Sequence, residues 1–481
     1  MPMDTASLQF VFFGLAAAIL SNFSRSRIWR SAVLFLASFL FIGLMTHDLV
    51  ILLPLVGFLL LGYACLVLLE RRWPKFTSCS ILAVILIYVW LKKYTFLPQQ
   101  IFLSYPYFTL GLSYIFFRVL HLLIETGEGS DKRGIGLGAY LLYMLNFTTF
   151  ISGPIQRYDE FANDQFARDP LPLDTGIIGL QIERVIRGFF KVNVLAMLLQ
   201  ACHSDSILQI SQQGLPLTLK LYAAMCLLIF YPLFLYCNFS GYIDIVIAIA
   251  RLMRIRLPEN FDRPFAASSA LDFWSRWHMT LSNWLKTYVY NPLLLALMRR
   301  ISSPVAEPFL AVICFFVTFF LIGVWHGRTS EFAFFGLLTG TGISVNKLWQ
   351  IFLTKLMGRK GYKSFAQTVI YRAFGRGLNY CWYGITVFWF WGSWKQIHSI
   401  FSAFDVVQWI EICGAAWLTS TTILALWEWT RSSVMSIKIG NEPIIMSRYA
   451  RVVYASAMGL VAFALTALLN QPAPGIVYKA F

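Results

Sequence analysis

Apolar stretches recur along almost the whole chain. They lie at about residues 8–22, 32–46, 49–69, 79–91, 101–124, 138–151, 175–200, 217–237, 309–325, 332–352, 378–392, 406–428 and 450–469. Several approach the ~20 residues that a helix needs to cross a bilayer. Only 13% of the residues are charged, about half the roughly 25% that is usual for soluble domains. The sequence therefore predicts an all-α, polytopic integral membrane protein with about 11–13 membrane-crossing or re-entrant helices.

Charge predicts how the chain is oriented. Lys and Arg together number 39 against 23 Asp and Glu, a net charge of +16. Because basic residues collect in cytoplasmic loops, the basic loops at 25–30 and 71–75 predict an outward-facing N-terminus. We find no long basic run interleaved with aromatics, so nucleic acid is not an expected partner.

The chain is predicted to be one integral domain over residues 1–481, because we find neither an internal repeat nor a low-complexity linker. Its middle is less apolar than its ends, from about 153 to 168 and from 244 to 286. Semi-polar segments of this kind cannot face lipid, so they lie at the interface or line a cavity that the protein encloses.

Several catalytic and metal-binding signatures are absent. The sequence has no G-x-S-x-G elbow, no P-loop and no H-E-x-x-H motif. Its eight cysteines form no C-x-x-C pair, so neither a zinc site nor a disulfide framework is indicated. We expect no metal and no permanently bound cofactor.

His326 ends the apolar run "AVICFFVTFFLIGVWHG", which carries no charge before it. An ionisable residue at such a place indicates function by default. A neutral imidazole there would suit a general base. The alternative is a helix-end histidine bonded to a backbone carbonyl.

His278 lies in the stretch "DFWSRWHMTLSNW", residues 272–284. The spacing of Trp274, Trp277 and Trp284 with Leu281 predicts an amphipathic helix with an aromatic stripe. Such a stripe is more often packing than a ligand site, and Arg276 could pair with a carboxylate or with a phosphate. The stretch therefore fits a ligand channel as well as it fits a buried ion pair.

Two further histidines carry weaker signals. His121 follows Arg118 by three residues, so both project from one face of a helix. The pair either lines a polar interior or extends towards the interface. His398 lies near the end of a predicted element and is interpreted as an ordinary interface residue.

Five stretches resemble the membrane-bound O-acyltransferase family, and above all its bacterial branch of alginate O-acetyltransferases and teichoic-acid D-alanyl transferases. They are "FISGPIQRYDEF" (150–161), "RGFFKV" (187–192), "NFSGYIDIVIAIARLMRIRLPENFDRPF" (238–265), "FWSRWHMTLSNWLKTYVYNPL" (273–293) and "GVWHG" (323–327). Together they span about 140–330, the motif-bearing core, whereas the flanking thirds agree only in hydropathy.

The resemblance implies a helical assembly around a central funnel or tunnel, with the acyl donor approaching from the cytoplasm. It implies that His326 is the family's signature histidine. His278 matches a second polar position, which is histidine in this branch and asparagine in many lipid-modifying relatives. Expected substrate-binding residues around these two catalytic candidates are Trp274, Arg276, Trp277, Ser282, Asn283 and Trp325.

The function expected from the resemblance is transfer of an acyl group, acetyl above all, from a cytoplasmic thioester to a hydroxyl of an exported cell-envelope polysaccharide. The donor would be acetyl-CoA or an acyl carrier protein, with an accessory extracytoplasmic protein as a further partner, at the bacterial inner membrane. D-alanylation of teichoic acid is the second reading, and lipid or protein acylation the third. A proton-coupled transporter is the alternative from another class.

Overall fold

The computed structural model describes residues 7–46, 48, 50–70, 74–107, 109–129, 134–439, 442–443, 446–469 and 474–475. Residues 71–73 of the predicted second basic loop lie outside the described residues. Two compact units are distinguished. The first comprises Met1–Phe189, Gly241–Glu259 and Gly475–Phe481, and the second Phe190–Ser240 and Asn260–Pro474.

The first unit is built from eight described helices and the end of a ninth. These are α1 Leu8–Ser21, α2 Arg27–Met45, α3 Leu53–Glu70, α4 Thr77–Leu91, α5 Leu112–Gly127, α6 Leu137–Leu145, α7 Tyr158–Gln165 and α8 Thr175–Phe190. Short 3₁₀ turns occupy Val50–Leu52, Pro74–Phe76 and Gln99–Ile101. An aromatic core joins Phe10 to Phe41 and Tyr242, with ring centroids 5.7 and 6.4 Å from that of Phe10.

The second unit is also helical. Its helices are α9 Met197–Ser211, α10 Leu217–Leu252 (residues from 241 onward belong to the first unit), α11 Ala270–Trp274, α12 Met279–Leu285, α13 Asn291–Arg300, α14 Glu307–His326, α15 Ser330–Ala366, α16 Val369–Thr386, α17 Phe388–Trp391, α18 Trp394–Phe401, α19 Val406–Ser436 and α20 Arg448–Leu469. A 3₁₀ turn occupies Pro264–Ala266, π-helical turns occupy Lys191–Ala196 and Lys286–Tyr290, and β1 Lys438–Ile439 pairs with β2 Glu442–Pro443.

Seven helices in the described ranges are long and apolar enough to cross a membrane. They are Arg27–Met45, Val50–Glu70, Thr175–Ser211, Leu217–Leu252, Glu307–His326, Val406–Ser436 and Arg448–Thr466, with shorter apolar helices at Leu8–Ser21 and Thr77–Leu91. The all-α, polytopic architecture is thus confirmed. The higher predicted number of crossings included short elements, and stretches such as 101–124 and 138–151 fold as the short helices α5 and α6. The funnel and the single domain stay predictions.

Close helix contacts in the second unit depend on small residues. A Cβ on Gly323 of α14 would lie 2.2 Å from the Gly336 Cα of α15, closer than real Cβ contacts allow. A Cβ on Gly340 of α15 would likewise meet the Phe316 carbonyl oxygen at 2.9 Å. Small residues let two backbones approach in this way where apolar burial alone cannot drive helix association. The paired helices hold the C-terminal end of α14, where His326 lies, against α15.

Candidate active site

The tryptophan-rich stretch folds as two short helices with a break between them. α11 ends at Trp274 and α12 begins at Met279, with His278 in the left-handed region at φ 44° and ψ 52°. The predicted continuous amphipathic helix over 272–284 was therefore wrong. A non-glycine residue in this region costs roughly 1–2 kcal/mol, so the surrounding structure must hold it there.

Backbone pairing with a neighbouring segment explains the break. The Asp262 N–H donates to the Arg276 carbonyl at 3.0 Å, and the Met279 N–H donates to the Asn260 carbonyl at 2.9 Å. These two bonds bracket His278 and take the place of helical hydrogen bonds. Hydrophobic periodicity records only which side chains are apolar, so it cannot reveal such pairing.

The Asn260 side chain defines the tautomer of His278. Its Oδ1 accepts hydrogen bonds from the Thr280 N–H at 3.1 Å and from the Thr280 hydroxyl at 2.9 Å. Because a backbone N–H can only donate, the amide atom facing it is the oxygen. The same oxygen lies 3.2 Å from His278 Nδ1, so Nδ1 carries the proton. In the neutral ring, Nε2 is then the nitrogen that accepts hydrogen bonds.

Aromatic rings enclose His278. The imidazole centroid lies 5.0 Å from the Phe239 ring and 6.2 Å from the Trp325 ring, and the residue is 1% exposed. Burial lowers the pKa of His278 to about 3, while a hydrogen bond with its own backbone acts in the opposite direction. The ring is therefore neutral at physiological pH.

His326 also contacts the Trp325 ring. It is the last residue of α14 and is 2% exposed. Its ring centroid lies 4.7 Å from that of Trp325, 5.2 Å from that of Phe390 and 6.0 Å from that of Phe335. Both candidate histidines thus contact the same indole, although 47 residues separate them in the sequence.

Gly327, which follows His326, accommodates a ring in close contact. A Cβ at Gly327 would lie 1.9 Å from Cδ2 of Phe332. No side chain fits there unless that ring moves. The sequence Trp-His-Gly at 325–327 therefore ends α14 abruptly beside the aromatic cluster.

A pocket of about 240 Å³ is lined by residues one helical turn from each histidine, Ser282 and Ile322, and neither histidine is among its described lining residues. Its described lining is Leu271, Trp274, Ser275, Ser282, Asn283, Leu285, Lys286, Tyr290, Phe315, Thr318, Phe319, Ile322 and Ile343. The Ser282 N–H donates to the His278 carbonyl at 3.0 Å, and Ile322 precedes His326 by one turn of α14. Most of the lining is apolar, with a lysine and four small polar side chains.

The predicted substrate-binding residues divide into two groups. Trp274, Ser282 and Asn283 line the pocket, and Trp325 contacts both histidines. Arg276 and Trp277 are not among the described residues that line the pocket.

Arg276 is held by carboxylates. Its Nε lies 2.7 Å from Asp272 Oδ1 and its Nη1 lies 3.5 Å from Asp262 Oδ2. The hydrogen bond with Asp272 raises the pKa of the Arg276 guanidinium. Trp277 is 1% exposed and stacks on Phe273 at 5.5 Å. Arg276 thus forms a partly exposed ion pair and Trp277 packs against an aromatic ring, and their role in substrate binding stays a prediction.

Sequence reasoning missed Asn260, Phe390 and Lys286. Asn260 is fully buried and lies in the stretch 238–265 that resembles the family. Its position as a polar residue between Pro258 and Phe261 could have indicated a site residue. Lys286 begins a π-helical turn and lines the pocket. Such turns occur frequently at functional sites. Nothing in the sequence pattern indicated Phe390.

The Arg118 and His121 pair lies in the interior of the first unit. Both side chains are 1% exposed. Arg118 donates to the carbonyls of Tyr143 and Met144, at 3.0 and 2.9 Å, and to that of Thr149. Of the two alternatives that the sequence left open, the structure has the polar interior.

The residue types that bind metals do not cluster within the described ranges. There, no set of three or more His, Cys, Asp and Glu side chains could hold a metal ion. The candidate site consists of imidazole, amide and hydroxyl groups among aromatic rings. Such groups can transfer protons and orient a hydroxyl, which is the chemistry of acyl transfer.

The profile of the membrane-bound O-acyltransferase family matches residues 125–374, slightly more than half of the chain. The chain belongs to the membrane-bound O-acyltransferase family. The matched range contains both candidate histidines, Asn260 and the pocket.

Three relatives illustrate the similarity. The chain is 32% identical over 248 residues to the teichoic acid D-alanyltransferase of Streptococcus thermophilus. The aligned region covers 50% of this chain and 57% of the relative. The chain is 28% identical over 251 residues to the probable alginate O-acetylase of Pseudomonas syringae pv. tomato, covering 52% and 45%. It is 31% identical over 212 residues to the peptidoglycan O-acetyltransferase of Helicobacter pylori, covering 44% and 37%. The matches span about half the length of these relatives.

Proposed function

We propose that this chain is a membrane-embedded O-acyltransferase of the bacterial cytoplasmic membrane. It moves an acyl group, acetyl above all, from a cytoplasmic thioester donor to a hydroxyl of an exported cell-envelope polysaccharide. The observation that carries the proposal is the pair of buried histidines in contact with one indole beside a pocket. Family membership and relatives named for acylation of envelope polymers support it.

In the proposed reaction, His326 is the general base. It takes the proton from the acceptor hydroxyl as that oxygen forms a bond with the thioester carbonyl carbon. The carbon–sulfur bond then breaks, and the leaving sulfur receives the proton from the imidazolium. The products are an ester and a free thiol. Direct transfer needs no serine nucleophile, in contrast to a covalent relay through another residue.

The tautomer favours an orienting role for His278. A neutral ring with its proton on Nδ1 accepts at Nε2, so it can receive a hydrogen bond from a second hydroxyl of the acceptor, next to the hydroxyl whose proton His326 removes. It cannot donate from Nε2 to a developing oxyanion unless it is protonated, which burial disfavours. Of two roles, orienting the acceptor and stabilising the oxyanion, the first therefore fits better.

The pocket supports a short acyl group. Its volume of about 240 Å³ is below the roughly 300–1,000 Å³ of pockets for drug-sized ligands. A thioester end with an acetyl or alanyl group fits this space better than a long lipid chain does. Among the described residues that line it, Lys286 is the cation and no carboxylate occurs. That charge favours a neutral acetyl group over the ammonium of a D-alanyl group.

D-alanylation of teichoic acid is the second candidate, and the 32% identity to a D-alanyltransferase favours it. Acetyl-CoA or an acyl carrier protein would be the donor for the first candidate, and a carrier protein for the second. An accessory extracytoplasmic protein is a further proposed partner. No bound cofactor or metal is part of either scheme.

The test is donor turnover by the purified protein in lipid nanodiscs. We expect release of thiol from radiolabelled acetyl-CoA or an acetyl-loaded carrier, and ester label on an envelope polysaccharide acceptor. Label only from a D-alanyl carrier would establish the second candidate. If no thioester donor of any kind is consumed, the acyltransferase proposal is wrong and proton-coupled transport becomes the better reading.

A further inference from the structure

We propose that Asn260 is a positioning residue that keeps the proton of His278 on Nδ1, which makes Nε2 the nitrogen that accepts a hydrogen bond from a second hydroxyl of the acceptor. The inference rests on the proposed function for its effect on catalysis. Its geometric part, the choice of tautomer, can be measured without any activity.

Asn260 is bonded to the two residues that follow His278. Its carbonyl accepts from the Met279 N–H at 2.9 Å, and its side-chain Oδ1 accepts from the Thr280 N–H at 3.1 Å. These two backbone donors fix the position and the orientation of the amide. His278 Nδ1, at 3.2 Å from the same Oδ1, therefore meets an atom that can only accept.

The fixed amide selects between two tautomers. If the proton of the neutral ring moved to Nε2, the Nδ1 lone pair would face the Asn260 oxygen, and a buried hydrogen bond would become a repulsive contact. An unmade buried hydrogen bond costs about 1–3 kcal/mol. That is about a fivefold to 150-fold preference for the Nδ1–H tautomer, since 1.4 kcal/mol is a factor of ten.

The other end of the amide makes an aspartate substitution informative. Asn260 Nδ2 is buried and has no hydrogen-bond partner among the described residues. Asn260→Asp therefore removes no described hydrogen bond and keeps the accepting oxygen in nearly the same shape. The added carboxylate beside His278 should raise the pKa of the imidazole. Its described ring neighbours, Phe239 and Trp325, do not titrate.

The chain contains a matched control in the first unit. Asn146 is 1% exposed, and its Oδ1 accepts from the Thr148 N–H at 3.1 Å and from the Thr148 hydroxyl at 2.8 Å. Its Nδ2 likewise has no partner in the described part of the chain. Asn146 thus has the burial and the threonine contacts of Asn260, and its described side-chain bonds involve no histidine.

The experiment compares Asn260→Leu, Asn260→Asp, Asn146→Leu and Asn146→Asp in the full-length purified protein. In Asn260→Leu, kcat for acyl transfer should fall by up to about 100-fold, the effect of a misplaced reacting group, with little change in the donor KM. Asn260→Asp should keep more activity than Asn260→Leu. The acid limb of its pH–rate profile should move to higher pH. A raised pKa means that His278 becomes protonated at a higher pH and that Nε2 then no longer accepts a hydrogen bond. Each Asn146 variant, per folded molecule, should keep the wild-type kcat and pH profile.

Solid-state ¹⁵N spectra of histidine-labelled protein, with the His278 signal assigned by its loss in His278→Gln, give the second readout. The wild type should have His278 protonated at Nδ1, and Asn260→Leu should have a mixture of tautomers. Protonation at Nε2 in the wild type, or an unchanged tautomer in Asn260→Leu, would overturn the inference even if acyl transfer is absent. Wild-type kcat in Asn260→Leu would overturn the inference kinetically. So would an Asn260→Asp variant that is as impaired as Asn260→Leu and has an unshifted pH–rate profile.

Discussion

Each unit of the molecule buries histidine in its interior, and the two units surround it differently. In the first unit, His121 Nε2 accepts from the Tyr158 N–H at 3.3 Å, and its neighbour Arg118 donates to three backbone carbonyls. In the second, His278 bonds to a side-chain amide, and it contacts the Trp325 ring that His326 also contacts.

The difference lies in what the polar groups bond to. Arg118 satisfies carbonyls at the end of α6 and in the following loop, groups that a helix end leaves without partners. Arg118 therefore has a structural role, which is to supply donors to these carbonyls. The second unit places two imidazoles among aromatic rings, and residues one helical turn from each of them line a pocket. Burial of a titratable group alone does not indicate chemistry. A side-chain network next to space for a ligand does.

The largest effect is expected from His326→Ala. Removing a general base should lower acyl transfer by ~10²–10⁴-fold, while the protein still inserts and accumulates, because one helix-end residue is dispensable for a many-helix fold. Transfer rates in nanodiscs at matched protein concentration measure this. A wild-type rate would refute the role of His326 as base.

His278 should come next in size. His278→Ala should lower transfer by up to about 100-fold through loss of acceptor orientation. His278→Asn should retain more activity than His278→Ala, because asparagine keeps a hydrogen-bonding group of the kind that the resemblance implies in lipid-modifying relatives. Side-by-side kcat values test the order, and equal rates for the two variants would contradict the orienting role.

Arg118→Met should change stability rather than chemistry. It leaves buried carbonyls without donors, at about 1–3 kcal/mol for each, so the unfolding temperature and the yield should fall. The kcat per folded molecule should stay near wild type. Fluorescence-detected size exclusion after heating measures the unfolding temperature, and nanodisc assays measure kcat. A stable variant with lost kcat would remove the contrast between the two units.

The smallest effect is expected from His398→Ala. His398 is exposed on the short helix α18, outside the site, and surface substitutions usually change stability by within about 0.5 kcal/mol. Transfer rate and unfolding temperature should both match the wild type. A marked loss of activity would indicate that the site extends to α18.

The sequence was a good guide to class and a poor guide to local geometry. Apolar run lengths predicted the membrane fold, and the end of one run at His326 marked the last residue of α14. The tryptophan spacing predicted one helix where the chain breaks at His278, because the break depends on hydrogen bonds to residues 260–262. Asn260 could not be assigned a role for the same reason, since its partners follow it by 18 to 20 residues.

The central claim is that chemistry belongs to His278 and His326 of the second unit, and that the buried His121 of the first unit is structural. The most direct measurement is single-turnover acyl transfer by His326→Ala and His121→Gln, each normalised to folded protein. The account predicts at least a hundredfold loss in the first variant, as expected for a general base, and a wild-type rate in the second. Equal rates in the two variants, or a loss confined to His121→Gln, would contradict it.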